Sequence, residues 1–127
     1  MHRDVEVNLF GAWRTTMYLA PMMRRGGRVV NVSSGAGSFA ETAGTGATPA
    51  YSIGKAALNI LAVELAADLR NRRILVNAVC AGGLPPTWAV AADVRCKTAP
   101  PAFRKRSICP TTGPSAGFFR DGEPVPW

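Results

Sequence analysis

Cysteine is scarce in this sequence, and its spacing argues against two common ways of stabilising a small chain. The three cysteines, Cys80, Cys96 and Cys109, are odd in number and lie far apart. A disulfide framework needs pairs, and a zinc site needs ligands grouped at short spacing. We therefore predict neither a disulfide framework nor a metal site, and the expected location is a reducing cytoplasm.

Long apolar runs and a leader-like start are also lacking. The apolar stretches are interrupted by Arg, Glu or Asp well before the roughly 20 residues that a membrane span requires. Residues 1–6 do not lead from a basic region into an apolar one, as a secretory signal does. We therefore expect no membrane segment and no secretory signal.

Acidic residues are few, with 8 Asp and Glu against 15 Lys and Arg, which gives a formal net charge of +7. Clustered cations attract nucleic-acid phosphates regardless of base sequence. The excess is concentrated, however, because residues 81–112 carry five basic residues and one acidic residue. Basic runs of this kind are more often solvated surfaces than binding grooves, so we expect no nucleic-acid partner. Steeply salt-dependent retention of DNA would indicate the opposite.

Apolar residues make up 47% of the 127 residues, which is typical of a chain that folds into one modest domain. Apolar side chains repeat at helical spacing over residues 4–25 and, more regularly, over residues 50–70. Two β-branched runs, residues 28–34 and 74–80, predict short buried strands. The Gly- and Thr-rich residues 35–49 predict a loop. The short link between the second helix and the second strand favours a parallel βαβ unit, so the predicted fold class is α/β.

The pattern changes after Cys80. Eight of the ten prolines lie from Pro85 onward, and residues 81–112 show neither helical nor alternating period. The ending regains a strand-like Gly-Phe-Phe before a polar turn. We therefore divide the chain into a helix-strand-loop-helix-strand core at residues 1–80, an atypical segment, and a terminal strand with its tail at residues 113–127.

Three residues form a candidate chemical group. Tyr51 and Lys55 open the longer predicted helix four residues apart, which places both on one face. A nearby ammonium favours the ionised form of a phenol, so such a pair can exchange protons near neutral pH. Ser34 ends the first predicted strand, at the edge where open α/β sheets bind ligands. A hydroxyl there can donate to a carbonyl oxygen that gains negative charge, although each feature alone also fits a helix-surface pair or a turn serine.

Residues 35–40 satisfy the G-x-G-x-x-A pattern that cradles a dinucleotide phosphate at the start of a helix. The residues that follow, Gly44, Gly46 and Pro49, disfavour a helix at this point. Glu64, the acid closest to the expected offset, falls within the long predicted helix instead of at a strand end. We therefore expect residues 35–40 to form a loop that does not bind pyrophosphate.

Four segments together carry a family resemblance: VNLFGAW around Asn8, GRVVNVSSGAG with Ser34, YSIGK, and ILVNAVCAG. In order and spacing they resemble the short-chain dehydrogenase/reductase family over about residues 3–80, and GFFRDGEPVPW resembles the ending of a carbonyl-reductase-like branch. The resemblance implies the C-terminal half of a Rossmann-like, doubly wound parallel sheet, incomplete in this chain. It also implies hydride transfer between NADP or NAD and a small carbonyl or alcohol substrate.

The same resemblance implies a role for each matching residue. In the family, a serine like Ser34 polarises the substrate carbonyl, and a tyrosine like Tyr51 transfers the proton. A lysine like Lys55 holds the nicotinamide ribose and assists the tyrosine. An asparagine like Asn8 positions a water on the lysine and completes a proton relay, although Asn8 could equally be an ordinary polar helix residue.

Two departures from the family pattern limit these expectations. Ala81 and Gly82 stand where the family usually has Pro-Gly ahead of residues that cover the nicotinamide, so they are the further cofactor-binding candidates. The βαβ units and glycine-rich turn that bind adenosine and pyrophosphate do not occur here, so we expect weak or no dinucleotide affinity. Within residues 81–112, PPTWAV and RSICPTT can be encoded so that a one-base shift of the reading frame gives family-like residues, and this motivates the hypothesis of a compensated frameshift. A natural variable substrate loop is the alternative.

Two functional hypotheses therefore remain beside nucleic-acid binding. The first is an NAD(P)-dependent oxidoreductase, and the second is a non-catalytic remnant that acts only as a packing or interaction module. Measurements of cofactor binding and of turnover distinguish the oxidoreductase from the remnant. The helices that carry Asn8 and Tyr51 often make subunit contacts in the family, so a homo-oligomer is the expected assembly.

Overall fold

The structure is a computed structural model that describes residues 2–81 and 113–127. These residues contain a four-stranded sheet. The strands lie in the order β1-β2-β3-β4, with bounds Arg28–Ser33, Leu75–Cys80, Phe118–Arg120 and Glu123–Pro124. The first three are parallel, and β4 is antiparallel to β3. The predicted α/β fold with an incomplete parallel sheet is confirmed, and β4 makes the described sheet mixed.

The antiparallel β4 depends on a tight turn. Asp121 and Gly122 have φ angles of 51° and 86°, in the left-handed region that lets a chain reverse within two residues. The last residues then pack back on the sheet, because Trp127 stacks on Phe118 with ring centroids 5.6 Å apart. The polar turn was expected, but the strand that follows it was not.

Helical residues precede β1 and connect β1 to β2. The first stretch runs through α1 (His2–Val5), a π-helical turn (Glu6–Gly11), α2 (Ala12–Leu19) and a 3₁₀ turn (Ala20–Met22). The second is α3 (Pro49–Asp68). Both predicted helices, residues 4–25 and 50–70, are confirmed, with ends that differ by no more than a few residues.

β1, α3 and β2 form the predicted parallel βαβ unit. β1 pairs with β2 from Arg28 opposite Leu75 to Ser33 opposite Cys80. One side of α3 is buried in the core, and the side chains concerned are Leu58, Leu61, Ala62, Leu65 and Ala66. Because β1 and β2 run parallel, the carboxyl ends of both strands lie at one edge of the sheet.

α3 begins at a capped position. Thr48 Oγ1 accepts a hydrogen bond from the Tyr51 N–H at 3.5 Å, and Pro49 occupies the start of the helix. A hydroxyl cap followed by proline is a typical helix start, since proline lacks the N–H that would otherwise be unsatisfied. This start places Tyr51 in the first turn of α3.

By length and composition alone, α3 could also cross a membrane, with a mean hydropathy of 1.2 over an 18-residue window. The same test is passed by core helices of soluble proteins, and 39% of the window is buried inside the structure. Leu58 and Leu65 of α3 belong to the same core cluster as Val76 and Phe118 of the sheet. The packing is that of a core helix, and the expected absence of a membrane segment stays a prediction.

Asn77 aligns the end of the chain with the sheet. Its Nδ2 donates to Pro114 O at 2.9 Å, and its Oδ1 accepts from the Gly117 N–H at 3.0 Å. Ser115 Oγ accepts from the Val76 N–H at 3.0 Å. These bonds add to the backbone bonds from the Ala116 N–H to Val76 O and from the Ala78 N–H to Gly117 O, so a buried polar side chain helps to fix where β3 joins β2.

The atypical segment lies almost entirely outside the described residues, because only Ala81 of residues 81–112 is included. Its irregular character, its excess charge and the compensated frameshift stay predictions. Gly82, a cofactor-binding candidate, also lies outside the described residues.

Asn77→Ala should destabilise the fold by about 2–3 kcal/mol, because it removes both hydrogen bonds that the buried Asn77 side chain makes to the segment ahead of β3. Asn71→Ala is the matched control, since Asn71 is exposed in the 3₁₀ turn after α3 and should change stability by no more than about 0.5 kcal/mol. Urea unfolding of the three proteins measures both effects. Equal stability of the two variants would contradict the role given to Asn77.

Candidate functional site

Ser34 lies immediately beyond the carboxyl end of β1. Its backbone is extended, with φ −151° and ψ 152°, and it leads into a 3₁₀ turn at Gly35–Gly37. The Ser34 Oγ accepts a hydrogen bond from the Ala36 N–H at 3.2 Å. A hydroxyl that accepts from the backbone keeps its own proton for donation. The turn thus orients Ser34 so that it can donate to a ligand oxygen at the sheet edge.

Lys55 joins α3 to β1 at the same end of the sheet. Its Nζ donates to Val32 O at 2.9 Å, two residues before Ser34. The same Nζ lies 5.7 Å from the centre of the Tyr51 ring, within range of a cation–π attraction. The structure therefore brings Tyr51 and Lys55 together on one face of α3, beside the end of β1.

Burial makes the charged form of the Lys55 amine less favourable. Desolvation lowers the pKa of the Lys55 amine below its usual value, because the charged form loses hydration when the side chain packs between α3 and β1. A carbonyl oxygen accepts from the amine but carries no full charge to offset this loss. The amine is therefore easier to deprotonate than that of an exposed lysine.

Gly37 explains how the loop after β1 comes so close to Lys55. A Cβ at position 37 would lie 2.6 Å from the Lys55 carbonyl carbon and 2.8 Å from its oxygen. The contact is backbone against backbone, so only glycine fits without a shift. Asn59 reinforces it, since its Nδ2 donates to Gly37 O at 3.1 Å. The loop of Ser34 and the helix of Lys55 are thus held against each other directly.

This contact also shows how the glycines of the G-x-G-x-x-A pattern, residues 35–40, are used in the fold. The segment continues into 3₁₀ turns, at Gly35–Gly37 and Thr42–Gly44, and not into an α-helix. The space that a phosphate would need at Gly37 is filled by α3. The expectation that these residues form a loop is confirmed, and their glycines serve close packing.

Asn8 lies within the π-helical turn, a feature often found at functional positions. Its Nδ2 donates to Asp4 O at 2.9 Å. A Cβ added at Gly54 would lie 3.6 Å from the Asn8 Cβ and from its Nδ2, so Asn8 packs against the first half of α3, one residue from Lys55. Asn8 and Lys55 line a common cavity.

A cavity of about 640 Å³ lies along β1. Its walls come from α2, the π-helical turn, β1 and α3, and they include Asn8, Asn31, Val32 and Lys55. The Asn31 Nδ2 is buried and has no hydrogen-bond partner among the described residues. Sequence reasoning missed Asn31, because an asparagine inside a β-branched run carries no signal of its own.

The described residues fit one end of a nicotinamide dinucleotide. Tyr51 and Lys55 offer a hydroxyl and an amine at the carboxyl edge, and Ala81 follows β2 at that edge. The two glycines that open the G-x-G-x-x-A segment already pack against the protein, Gly37 on Lys55 of α3 and Gly35 on Glu41 and Arg120. The fit is therefore to the nicotinamide ribose and not to the pyrophosphate.

An ion pair between Glu41 and Arg120 also lies at this edge. Arg120 donates from Nη1 to Glu41 Oε1 at 3.1 Å and from Nη2 to Glu41 Oε2 at 2.5 Å. Sequence reasoning missed the pair, since the two residues are 79 positions apart.

Comparison with known proteins identifies the family. A family model described as enoyl-(acyl carrier protein) reductase matches residues 1–105. The chain is 38% identical over 80 residues to the oxidoreductase UcpA of Salmonella typhimurium, an alignment that covers 61% of this chain and 29% of that protein. With the βαβ unit and the sheet-edge site, these matches show that the chain belongs to the short-chain dehydrogenase/reductase family.

Solved structures agree with this assignment. The landomycin C-6 ketoreductase LanV with bound NADP and rabelomycin is 32% identical, with a TM-score of 0.52 over 61% of this chain and 30% of that one. A blue fluorescent protein from a metagenomic library, in complex with NADPH, is 31% identical, with a TM-score of 0.55 over 61% of this chain and 30% of that one. The family therefore includes NADP-binding proteins, as expected. The chain spans about 29% of the length of the curated relatives it matches.

Gly37→Ala should destabilise the protein by about 1–3 kcal/mol, because the new methyl group meets the Lys55 backbone and the loop must move. Gly44→Ala is the control, since a Cβ there meets nothing within 4 Å. Urea unfolding compares the two variants with the wild type. Equal stability of Gly37→Ala and Gly44→Ala would contradict the close packing of the loop on α3.

Lys55 should make the stability of the protein depend on pH. Between the lowered pKa of Lys55 in the folded state and its usual value of 10.5, the unfolded chain binds a proton that the folded chain does not. The free energy of unfolding should therefore rise with pH across that interval, relative to a Lys55→Met variant. Below the interval both states are protonated, and the cost of burying the cation is fully present. Urea unfolding from pH 7 to 10.5 measures the difference, and identical pH profiles would contradict the desolvation of Lys55.

Proposed function

We propose that this chain carries the catalytic face of an NAD(P)-dependent oxidoreductase that acts on a small carbonyl or alcohol compound. The supporting observation is the position of the Lys55 amine, which contacts the end of β1 and lies 5.7 Å from the centre of the Tyr51 ring. This arrangement combines a cation, a phenol and the Ser34 hydroxyl at the edge where α/β sheets bind ligands.

Each of the three side chains has a distinct task in this proposal. Ser34 donates to the substrate oxygen, and it can do so because its own oxygen already accepts from Ala36. Tyr51 exchanges a proton with the same oxygen and is 36% exposed, so a substrate can reach it. Lys55 holds its amine beside the Tyr51 ring, 5.7 Å from the ring centre, where it can bind a ligand hydroxyl.

Asn8 would act through Lys55 and not on the substrate. Asn8 lines the same cavity as Lys55. It also packs against Gly54 of α3, the residue before Lys55. A polar side chain there can hold a water near the amine and so supply protons from solvent. The alternative for Asn8 is a helix-stabilising role through its bond to Asp4.

A bound nicotinamide cofactor would carry the hydride: NADPH or NADH would supply it to a carbonyl, and NADP or NAD would accept it from an alcohol. Tyr51 and Lys55 would hold the nicotinamide ribose, and Ala81 and Gly82 would border the nicotinamide. LanV binds NADP together with rabelomycin, which supports a nicotinamide cofactor and a small-molecule substrate for this chain as well. The residues that would bind the pyrophosphate are not among those the structure describes.

A homo-oligomer remains the expected assembly. Large apolar side chains are exposed along the first helical stretch and α3, including Trp13, Met17, Ile53 and Ile60. Such surfaces are common where helices of two subunits pack together. They support the proposal of a homo-oligomer.

This polypeptide alone should bind NADPH and NADH weakly or not at all. Reactive geometry depends on binding energy from remote parts of the cofactor, and those contacts are not found in the described residues. Fluorescence titration with each dinucleotide measures the affinity. Binding of either one at micromolar concentration would refute the expectation.

Tyr51→Phe should lower turnover by about 100-fold or more, the typical contribution of a positioned proton donor. Tyr18→Phe is the matched control, because Tyr18 is the other tyrosine and is exposed on α2, outside the site. Reduction of a panel of ketones is followed by NADPH absorbance, with millimolar NADPH to offset weak binding. Equal rates for the wild type and Tyr51→Phe would reject the catalytic role. Absence of turnover in the wild type would support the non-catalytic remnant instead.

A further inference from the structure

The ion pair of Glu41 and Arg120 joins two parts of the chain that meet at the sheet edge. Glu41 belongs to the loop after β1, and Arg120 ends β3. The guanidinium contacts both carboxylate oxygens, at 3.1 Å and 2.5 Å. This two-point contact fixes orientation as well as distance, unlike a single contact from a flexible lysine.

The pair packs directly against Gly35, the residue next to Ser34. A Cβ at Gly35 would lie 2.6 Å from Glu41 Oε2 and 2.7 Å from Arg120 Nη2. Both charged groups therefore rest on the backbone that carries the Ser34 hydroxyl. A shift of either group would open space beside Gly35, at the start of the turn that follows Ser34.

Arg120 is itself held at the sheet. Its Nε lies 3.4 Å from Cys80 Sγ, at the end of β2, and Cys80 is the register partner of Arg120. The side chain of Arg120 is 34% exposed and that of Glu41 is 31% exposed, so the pair is partly shielded from solvent. The guanidinium thus connects the ends of β2 and β3 to the loop after β1.

Other contacts fix the loop further along. Thr42 Oγ1 donates to Ala36 O at 2.8 Å, and Ser38 Oγ donates to Pro126 O at 2.8 Å. Gly37 packs on Lys55, as described above. These contacts hold the middle and the end of the Gly35–Gly37 turn. Its start is held by the bond from the Gly37 N–H to Ser34 O at 2.9 Å and by the ion pair that packs on Gly35.

We propose that Glu41 and Arg120 are positioning residues that hold the Ser34 hydroxyl in its orientation at the sheet edge. The inference rests on the proposed function only for what Ser34 then does to a substrate. The orientation itself can be measured without cofactor, substrate or turnover.

Amide hydrogen exchange at Ala36, followed by NMR on the full chain, reads this orientation, because the Ala36 N–H donates to Ser34 Oγ. Glu41→Gln and Arg120→Met should each speed exchange at Ala36 by about tenfold, while exchange at Val76 in β2 changes much less. The double variant should be no faster than either single variant, because both remove one interaction. Arg120→Lys should restore part of the protection.

Arg14→Met is the matched control. Arg14 forms an ion pair with Glu6 at 2.6 Å, but both side chains are more than half exposed, at 71% and 54%, and lie away from the turn. Its loss should leave Ala36 exchange unchanged. Unchanged exchange at Ala36 in the Glu41 and Arg120 variants would overturn the proposal, as would an equal acceleration at Ala36 and Val76, which would indicate general destabilisation. Neither result bears on the Tyr51 turnover test, so failure of one proposal is distinguishable from failure of the other.

Discussion

The hydrogen bond from Lys55 Nζ to Val32 O ties the helix to the strand at the point where the chemistry is proposed. It places a partly desolvated cation beside the Tyr51 ring and two residues before Ser34. The bond is possible because Gly37 lets the intervening loop lie against the backbone of Lys55. A larger residue at that position would separate helix and strand, and the three side chains would lose their common edge.

The main elements could be predicted from the sequence because their signals are local. The β-branched runs predicted β1 and β2, and the leucine spacing predicted α3, each to within a few residues. A short crossover between parallel strands then requires both carboxyl ends to share an edge, which places Ser34 and Tyr51 at that edge before any coordinates are known.

The remaining features depend on contacts between distant residues, which no local period encodes. Glu41 meets Arg120 across 79 positions, and Asn77 fixes the approach to β3 through Pro114 and Gly117. The glycines that resembled a phosphate-binding loop are required by close approach to α3 and to the ion pair. Spacing alone cannot distinguish a glycine that accommodates a ligand from one that accommodates the protein itself.

The central claim is that the Lys55 side chain lies over the Tyr51 ring at the end of β1. Nuclear Overhauser contacts between the Lys55 side-chain methylene protons and the Tyr51 ring protons test it directly. The structure predicts clear cross-peaks, since the amine is 5.7 Å from the ring centre. A Lys55 side chain that shows no contact with the ring and has the averaged shifts of a free lysine would contradict the account.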